Sequence, residues 1–321
     1  MALASIFGTN LFQYQPDGVI EFYDAHEEVR ESFRQASEWT GIDVEPLLKQ
    51  NGEYADDGER IQVVSVGLAA AQLGIQDVLM KKGLRPEMTG GLSLGGLVGS
   101  CVAGAIERRD LMELLTRGEH RPQDEETGGG RPEGIAAAYL ALDHDPDHYY
   151  GEQREGVWKA ADFGCDAGGK IRIVLLAGYR DALEKLAAGE PEGVVNVTEG
   201  ADLAVHSPLR AAAREASRAR IERVPFKDPS LTLCSCLEQK TLTRADEVCS
   251  MFVDNVSAPI SVVDLTQGMK DHRAQLGLVI GPSPVMNALQ YPFPVVFVDR
   301  PQAVSQAVAA VFEHGVRLRR G

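Results

Sequence analysis

Gly91-Leu92-Ser93-Leu94-Gly95 is a G-x-S-x-G run, the spacing at which a chain can turn sharply from strand into helix with a serine oxygen held at the apex. The flanking residues must be small because such a turn presses backbone against backbone. A serine there also faces the unpaired N–H groups and the positive end of the following helix, which would stabilise an oxyanion formed beside it. Ser93 is therefore the candidate nucleophile, and the Leu94 N–H is the natural first oxyanion donor.

A hydroxyl attacks only with a base in hydrogen-bond reach, and the histidines available are His26, His120, His144, His148, His206, His272 and His314. His206 closes an apolar, strand-like run and precedes Ser207-Pro208, where a helix starts, so it is expected at the carboxyl end of a strand, where α/β sites gather. It is the candidate base. His26 and His120 lie in polar helical surroundings and read as solvated. The run Asp143-His144-Asp145-Pro146-Asp147-His148 holds ligand-type side chains, but its proline and turn residues make it a solvated loop, and no metal is expected. His314 supports a rival: an ordinary α/β-hydrolase takes its base near the C-terminus after an acid such as Asp299 or Asp264.

The elements that would position these groups alternate along the chain. Apolar spacing predicts helices over 24–39 and 60–80, a short strand running from Pro86 into Gly91, and helices over 97–106 and 111–115. The Gly- and charge-rich stretch from Gln123 to Gly134 marks a boundary. Beyond it come a strand (135–142), a helix (146–155), two strands (157–163 and 170–177), a helix (179–188) and a strand (194–205). That order is the ferredoxin-like β-α-β-β-α-β pattern. A helix then resumes at 207–223, followed by a strand near 231–236 and a helix over 244–256. The class is α/β, with a large α/β-hydrolase-like domain made of 1–130 and 199–321 and an inserted ferredoxin-like domain at 131–198.

Composition narrows the function classes. Lys and Arg total 32 against 47 Asp and Glu, a net charge of −15 in 321 residues, which opposes binding to phosphate backbones and anionic membranes. The runs 171–178 and 294–298 are far too short to span a bilayer, and the N-terminus has no basic, apolar export pattern. Five cysteines without C-x-x-C spacing suit reduced thiols. A cytoplasmic protein is expected.

Taken together, Ser93, His206 and the inserted domain give a chain that resembles the malonyl-CoA:acyl carrier protein transacylase family, including the acyltransferases of fatty acid and polyketide synthesis. Gly91-Leu92-Ser93-Leu94-Gly95-Gly96 stands where that family has G-H-S-L-G-E, with leucine and glycine replacing its histidine and glutamate. Ala103-Gly104-Ala105-Ile106 follows at the family's distance. Ala204-Val205-His206-Ser207-Pro208-Leu209 is similar to the histidine segment, Ser257 to Val262 to the S-P-V-x-W element, and Val279 to Ser283 to the E-V-G-P-G turn. Phe7 to Phe12 stands for the N-terminal P-G-Q-G-S-Q.

The resemblance implies transfer of a malonyl-type group from CoA to the phosphopantetheine thiol of an acyl carrier protein by a cytoplasmic monomer, with no cofactor beyond the CoA thioester. It also implies Thr9 N–H as second oxyanion donor, the Ser261 carbonyl as the group orienting the histidine, Arg117 as a fork binding the acyl carboxylate, and Val205 as a residue bounding the acyl pocket. A hydrolase acting on acyl carriers, an α/β-hydrolase esterase and a non-catalytic relative are the alternatives. Finally, Arg210, Arg214 and Arg218 recur at i, i+4, i+8, and a basic stripe there is expected to dock an acidic carrier or CoA phosphates.

Overall fold

The structure is a computed structural model that describes residues 2–9, 16–52, 54–55, 57–116 and 130–318. The chain opens with β1 (Ala2–Phe7), whose residues are all buried, and then forms α1 (Asp17–Ala25), α2 (Glu27–Thr40), α3 (Val44–Lys49) and α4 (Asp57–Lys81). The single helix expected over 24–39 is thus part of two. His26 is extended at the junction, and the Arg30 guanidinium reaches back to the carbonyls of Tyr23 (2.8 Å) and Asp24 (2.9 Å), satisfying the end of α1. α2 stops at Gly41, whose positive φ supplies the left-handed cap.

α4 is long and apolar enough to cross a membrane by length and composition, a property missed in the sequence because Gln72, Gln76 and Asp77 interrupt the run. Within the fold 89% of its most apolar 18 residues are buried, as in a core helix.

β2 (Met88–Gly91) then leads directly into α5 (Leu94–Val102) and α6 (Arg108–Thr116). The chain continues with β3 (Glu133–Ala141), β4 (Val157–Cys165), β5 (Ile171–Tyr179), α7 (Arg180–Gly189) and β6 (Val195–Val197). In place of the helix expected over 146–155 there are two short 3-10 turns, because Asp145 accepts the Asp147 N–H and Gly151 and Gly156 take positive φ. The strand expected over 194–205 ends at Val197, and Gly200 turns with φ 68° soon after. The chain finishes with α8 (Ala211–Ile221), β7 (Thr232–Cys234), β8 (Thr241–Leu242), α9 (Ala245–Asp254), β9 (Ile260–Ser261), α10 (Val262–Asp271), β10 (Ala274–Ile280), α11 (Pro284–Asn287), β11 (Val295–Val298) and α12 (Gln302–Glu313).

Two sheets result. The first has the order β11-β10-β1-β2-β7-β8 and is parallel except for β8. Phe7 is in register with both Gly91 and Ile280, and Gly90 with Cys234, so the carboxyl ends of four central strands share one edge. In open parallel sheets ligands bind outside that edge. The second sheet has the order β6-β3-β5-β4-β9; its first four strands come from 133–197, and β9 is contributed by the C-terminal part of the chain. One apolar cluster spans both sheets, with Ala4, Ile6 and Met88 from the first meeting Ala161, Phe163 and Ile173 from the second.

A larger cluster packs α2 and α4 on the first sheet, with Phe33 fully buried and edge-on to Tyr23 at 5.8 Å. Phe33→Ala leaves a void there and should cost about 3–5 kcal/mol. Urea unfolding measures this, and an unchanged midpoint would contradict the packing described.

Candidate active site

The turn from β2 to α5 is made by the sharpest backbone in the site. Ser93 has φ 52° and ψ −118°, a conformation that L-residues adopt only under constraint. The constraint is the packing of β1 against the two glycines: a Cβ on Gly95 would overlap the Phe7 carbonyl oxygen, and one on Gly91 would overlap both that oxygen and Gly95. The Leu92 N–H donates to the same Phe7 carbonyl at 2.9 Å. Leu92 is fully buried in the cluster between the sheets. Both glycines of the motif are therefore required by sterics, and the strand end they rest on precedes Gly8 and Thr9.

His206 Nε2 lies 2.9 Å from Ser93 Oγ, across 113 residues of sequence. Its other nitrogen, Nδ1, lies 3.1 Å from the Ala258 carbonyl. A carbonyl can only accept, so Nδ1 carries the proton and Nε2 presents a lone pair to the serine hydroxyl. Burial pushes the His206 pKa down to about 4, against smaller opposing effects of the Ala258 and Asn255 backbones. The imidazole is thus neutral at physiological pH and able to take a proton.

The Ala258 carbonyl replaces the expected Ser261 carbonyl. Ser261 stands three residues further on, in the ladder between β9 and β4 opposite Asp162, with its Oγ accepting from the Asp264 N–H (3.0 Å) to cap α10. The sequence held one signal for Ala258, since a residue before proline is driven to extended backbone and Pro259 follows it. His206 itself is not at a strand end. It sits in a turn after β6 has ended, with φ 51°.

Leu94 N–H opens α5 and, among the described residues, has no acceptor within the protein. The Thr9 carbonyl accepts from Ser283 Oγ at 3.2 Å, and the preceding Gly8 carbonyl from Gln72 at 2.8 Å, which pins this end of β1. Beneath the serine lies Cys236, whose thiol burial pushes up to about 11 despite hydrogen bonding from the Ser93 backbone. It stays protonated there. Sequence reasoning passed over this residue because an isolated cysteine carries no pattern.

The remaining candidates are placed as follows. Val205 is half-buried with Leu209 and Leu175 against Ile135, Ala177 and Ala204. Arg117 lies outside the described residues. The arginine stripe is not a free basic face. Arg210 precedes α8, is buried and binds Glu133 at 2.6 Å; Arg214 binds Asp254 (2.5 Å) and Glu215; Arg218 binds Glu215 and Glu222. In so acidic a chain each guanidinium has found a carboxylate.

The rival base is not assembled with Ser93 either. His314 caps α12, where its carbonyl accepts from Gln275, Asp299 contacts Arg300, and Asp264 lies in the first turn of α10. His144 meets Tyr149 and His148 meets Arg154. Among the described residues no group of three or more His, Cys, Asp or Glu side chains could hold a metal.

Two outcomes follow from this geometry. Gly95→Ala should destabilise the protein by about 1–3 kcal/mol, since backbone cannot swing aside; a wild-type thermal midpoint would refute the close packing. The depressed His206 pKa has a second consequence. Between its folded value of about 4 and its ordinary 6.5 the unfolded chain binds a proton that the native site refuses. Stability from this group is therefore complete above about pH 6.5 and declines as pH falls toward 4. Urea midpoints across that window should fall less steeply in His206→Gln, and parallel slopes would refute the depression.

No family model matches the chain. It is 26% identical over 270 residues, 81% of this chain and 82% of the relative, to the malonyl CoA-acyl carrier protein transacylase of Haemophilus influenzae. Among solved structures, FabD from Acinetobacter baumannii superposes with a TM-score of 0.80 at 17% identity, covering 97% of this chain and 98% of the other. A malonyl-transacylase in complex with its type II polyketide synthase acyl-carrier protein gives 0.80 at 17% identity, covering 97% and 100%. These structural likenesses establish a shared α/β fold. Sequence similarity over four-fifths of its length and that common fold together make this chain a homologue of the malonyl-CoA:acyl carrier protein transacylases.

Proposed function

We propose that the protein moves a malonyl-type acyl group from CoA to the phosphopantetheine thiol of an acyl carrier protein by way of a Ser93 acyl-enzyme. The observation that carries this reading is the 2.9 Å contact between Ser93 Oγ and a His206 whose tautomer is set by a backbone carbonyl. The similarity to a transacylase supports the choice of acyl donor and acceptor. In this reading the second sheet is a ferredoxin-like insertion in a hydrolase-like body, and the protein works as a cytoplasmic monomer.

The reaction has two halves. His206 Nε2 takes the Ser93 proton as Oγ bonds to the thioester carbon, and the Leu94 and Thr9 N–H groups receive the oxyanion, with the positive end of α5 behind Leu94. Collapse breaks the C–S bond, and the proton on Nε2 passes to the departing CoA sulfur. The pantetheine thiol then gives its proton to Nε2, attacks the Ser93 ester and leaves with the acyl group, restoring the hydroxyl. While His206 is charged, its Nδ1–H remains bonded to the Ala258 carbonyl, so no carboxylate is needed. Arg117 would hold the acyl carboxylate through its forked donors, and Val205 would bound the space for an α-substituent.

Mixing the protein with malonyl-CoA and a pantetheinylated carrier, with intact-mass readout, tests this. An adduct on Ser93 that passes to the carrier is expected, and Ser93→Ala should lower transfer by roughly a millionfold. An adduct lost only to water would reassign the protein as a hydrolase, and no adduct would refute the nucleophile.

A further inference from the structure

His206 carries a left-handed backbone, φ 51°, which a non-glycine residue keeps only when its surroundings over-determine it. No sheet ladder does so, because β6 ends at Val197. One side chain from the second sheet does. Glu133, the first residue of β3, accepts the Ala204 N–H at 3.0 Å and binds the Arg210 guanidinium through both oxygens at 2.6 Å. Ala204 precedes the histidine and Arg210 follows it, so a single carboxylate ties down both ends of the segment between them. Inside that segment Ser207 Oγ donates to the Ala204 carbonyl (2.7 Å) and the Arg210 N–H to the Ser207 carbonyl (3.0 Å).

Arg210 is only 4% exposed, and its Nε has no partner among the described residues. Taking such a pair out of water adds little net stability over apolar residues of the same volume. What the pair does supply is position. Glu133 stands on a strand hydrogen-bonded on both sides, in register with Tyr179 on β5, so the clamp is anchored in the second sheet.

We propose that the Glu133–Arg210 pair is the positioning device of the His206 segment, setting the imidazole opposite Ser93 from outside the reacting atoms. The proposal rests on Ser93 and His206 acting as nucleophile and base. A fluorophosphonate probe tests it without any acyl donor or carrier: Ser93 Oγ bonds to phosphorus, fluoride leaves, and the serine proton goes to His206. Glu133→Gln leaves a buried guanidinium unpaired, whereas Glu133→Gln/Arg210→Met removes both charges at similar volume and keeps the fold testable. In the double variant the maximal labelling rate should fall roughly ten- to a hundredfold, the loss expected when a base is displaced by about an ångström. The half-saturating probe concentration and the thermal midpoint should hold. A wild-type maximal rate in the folded double variant overturns the clamp, and a lowered midpoint with that same rate makes the pair merely structural. A wild-type protein inert to the probe overturns the nucleophile itself, and the clamp with it.

Discussion

The hydrogen bond between His206 Nδ1 and the Ala258 carbonyl decides the chemistry available at Ser93. A carboxylate in that place would favour the imidazolium and raise its pKa; a neutral carbonyl orients the ring with little charge, and burial then keeps the ring uncharged. In the proposed transfer such a neutral ring would serve both halves, taking the proton of the Ser93 hydroxyl in one and of a pantetheine thiol in the other.

Everything around this bond serves to bring two distant segments face to face. Ser93 follows β2 of the first sheet, where the glycines of the G-x-S-x-G turn let α5 press on the end of β1. The histidine belongs to a turn packed on the second sheet and held by Glu133 from it. The apolar cluster shared by the sheets fixes their spacing.

Much of the site was legible because its constraints are local. A serine between glycines after a short strand states its own turn, and a histidine before Ser-Pro stands out among seven. What escaped the sequence was nonlocal or carried by backbone. Ala258 acts through a carbonyl, which no side-chain pattern reports. The 207–223 helix pattern read Arg210 as one of three exposed cations because periodicity cannot see Glu133, 77 positions earlier in the chain. The long strand expected over 194–205 failed for a related reason: Ala201, Ala204 and Val205 are apolar because they pack with Ile135 and Ala177, not because they pair in a ladder.

The placement of β9 gives these contacts a common origin. Ile260 pairs with Ala161 of β4 just two residues beyond Ala258, so the acceptor for Nδ1 is indexed to one layer while the hydroxyl is indexed to the other. The oxygen-to-nitrogen separation at the heart of the dyad is thereby a gauge of how far apart the layers stand, and widening the cleft between them would draw the reacting atoms out of range.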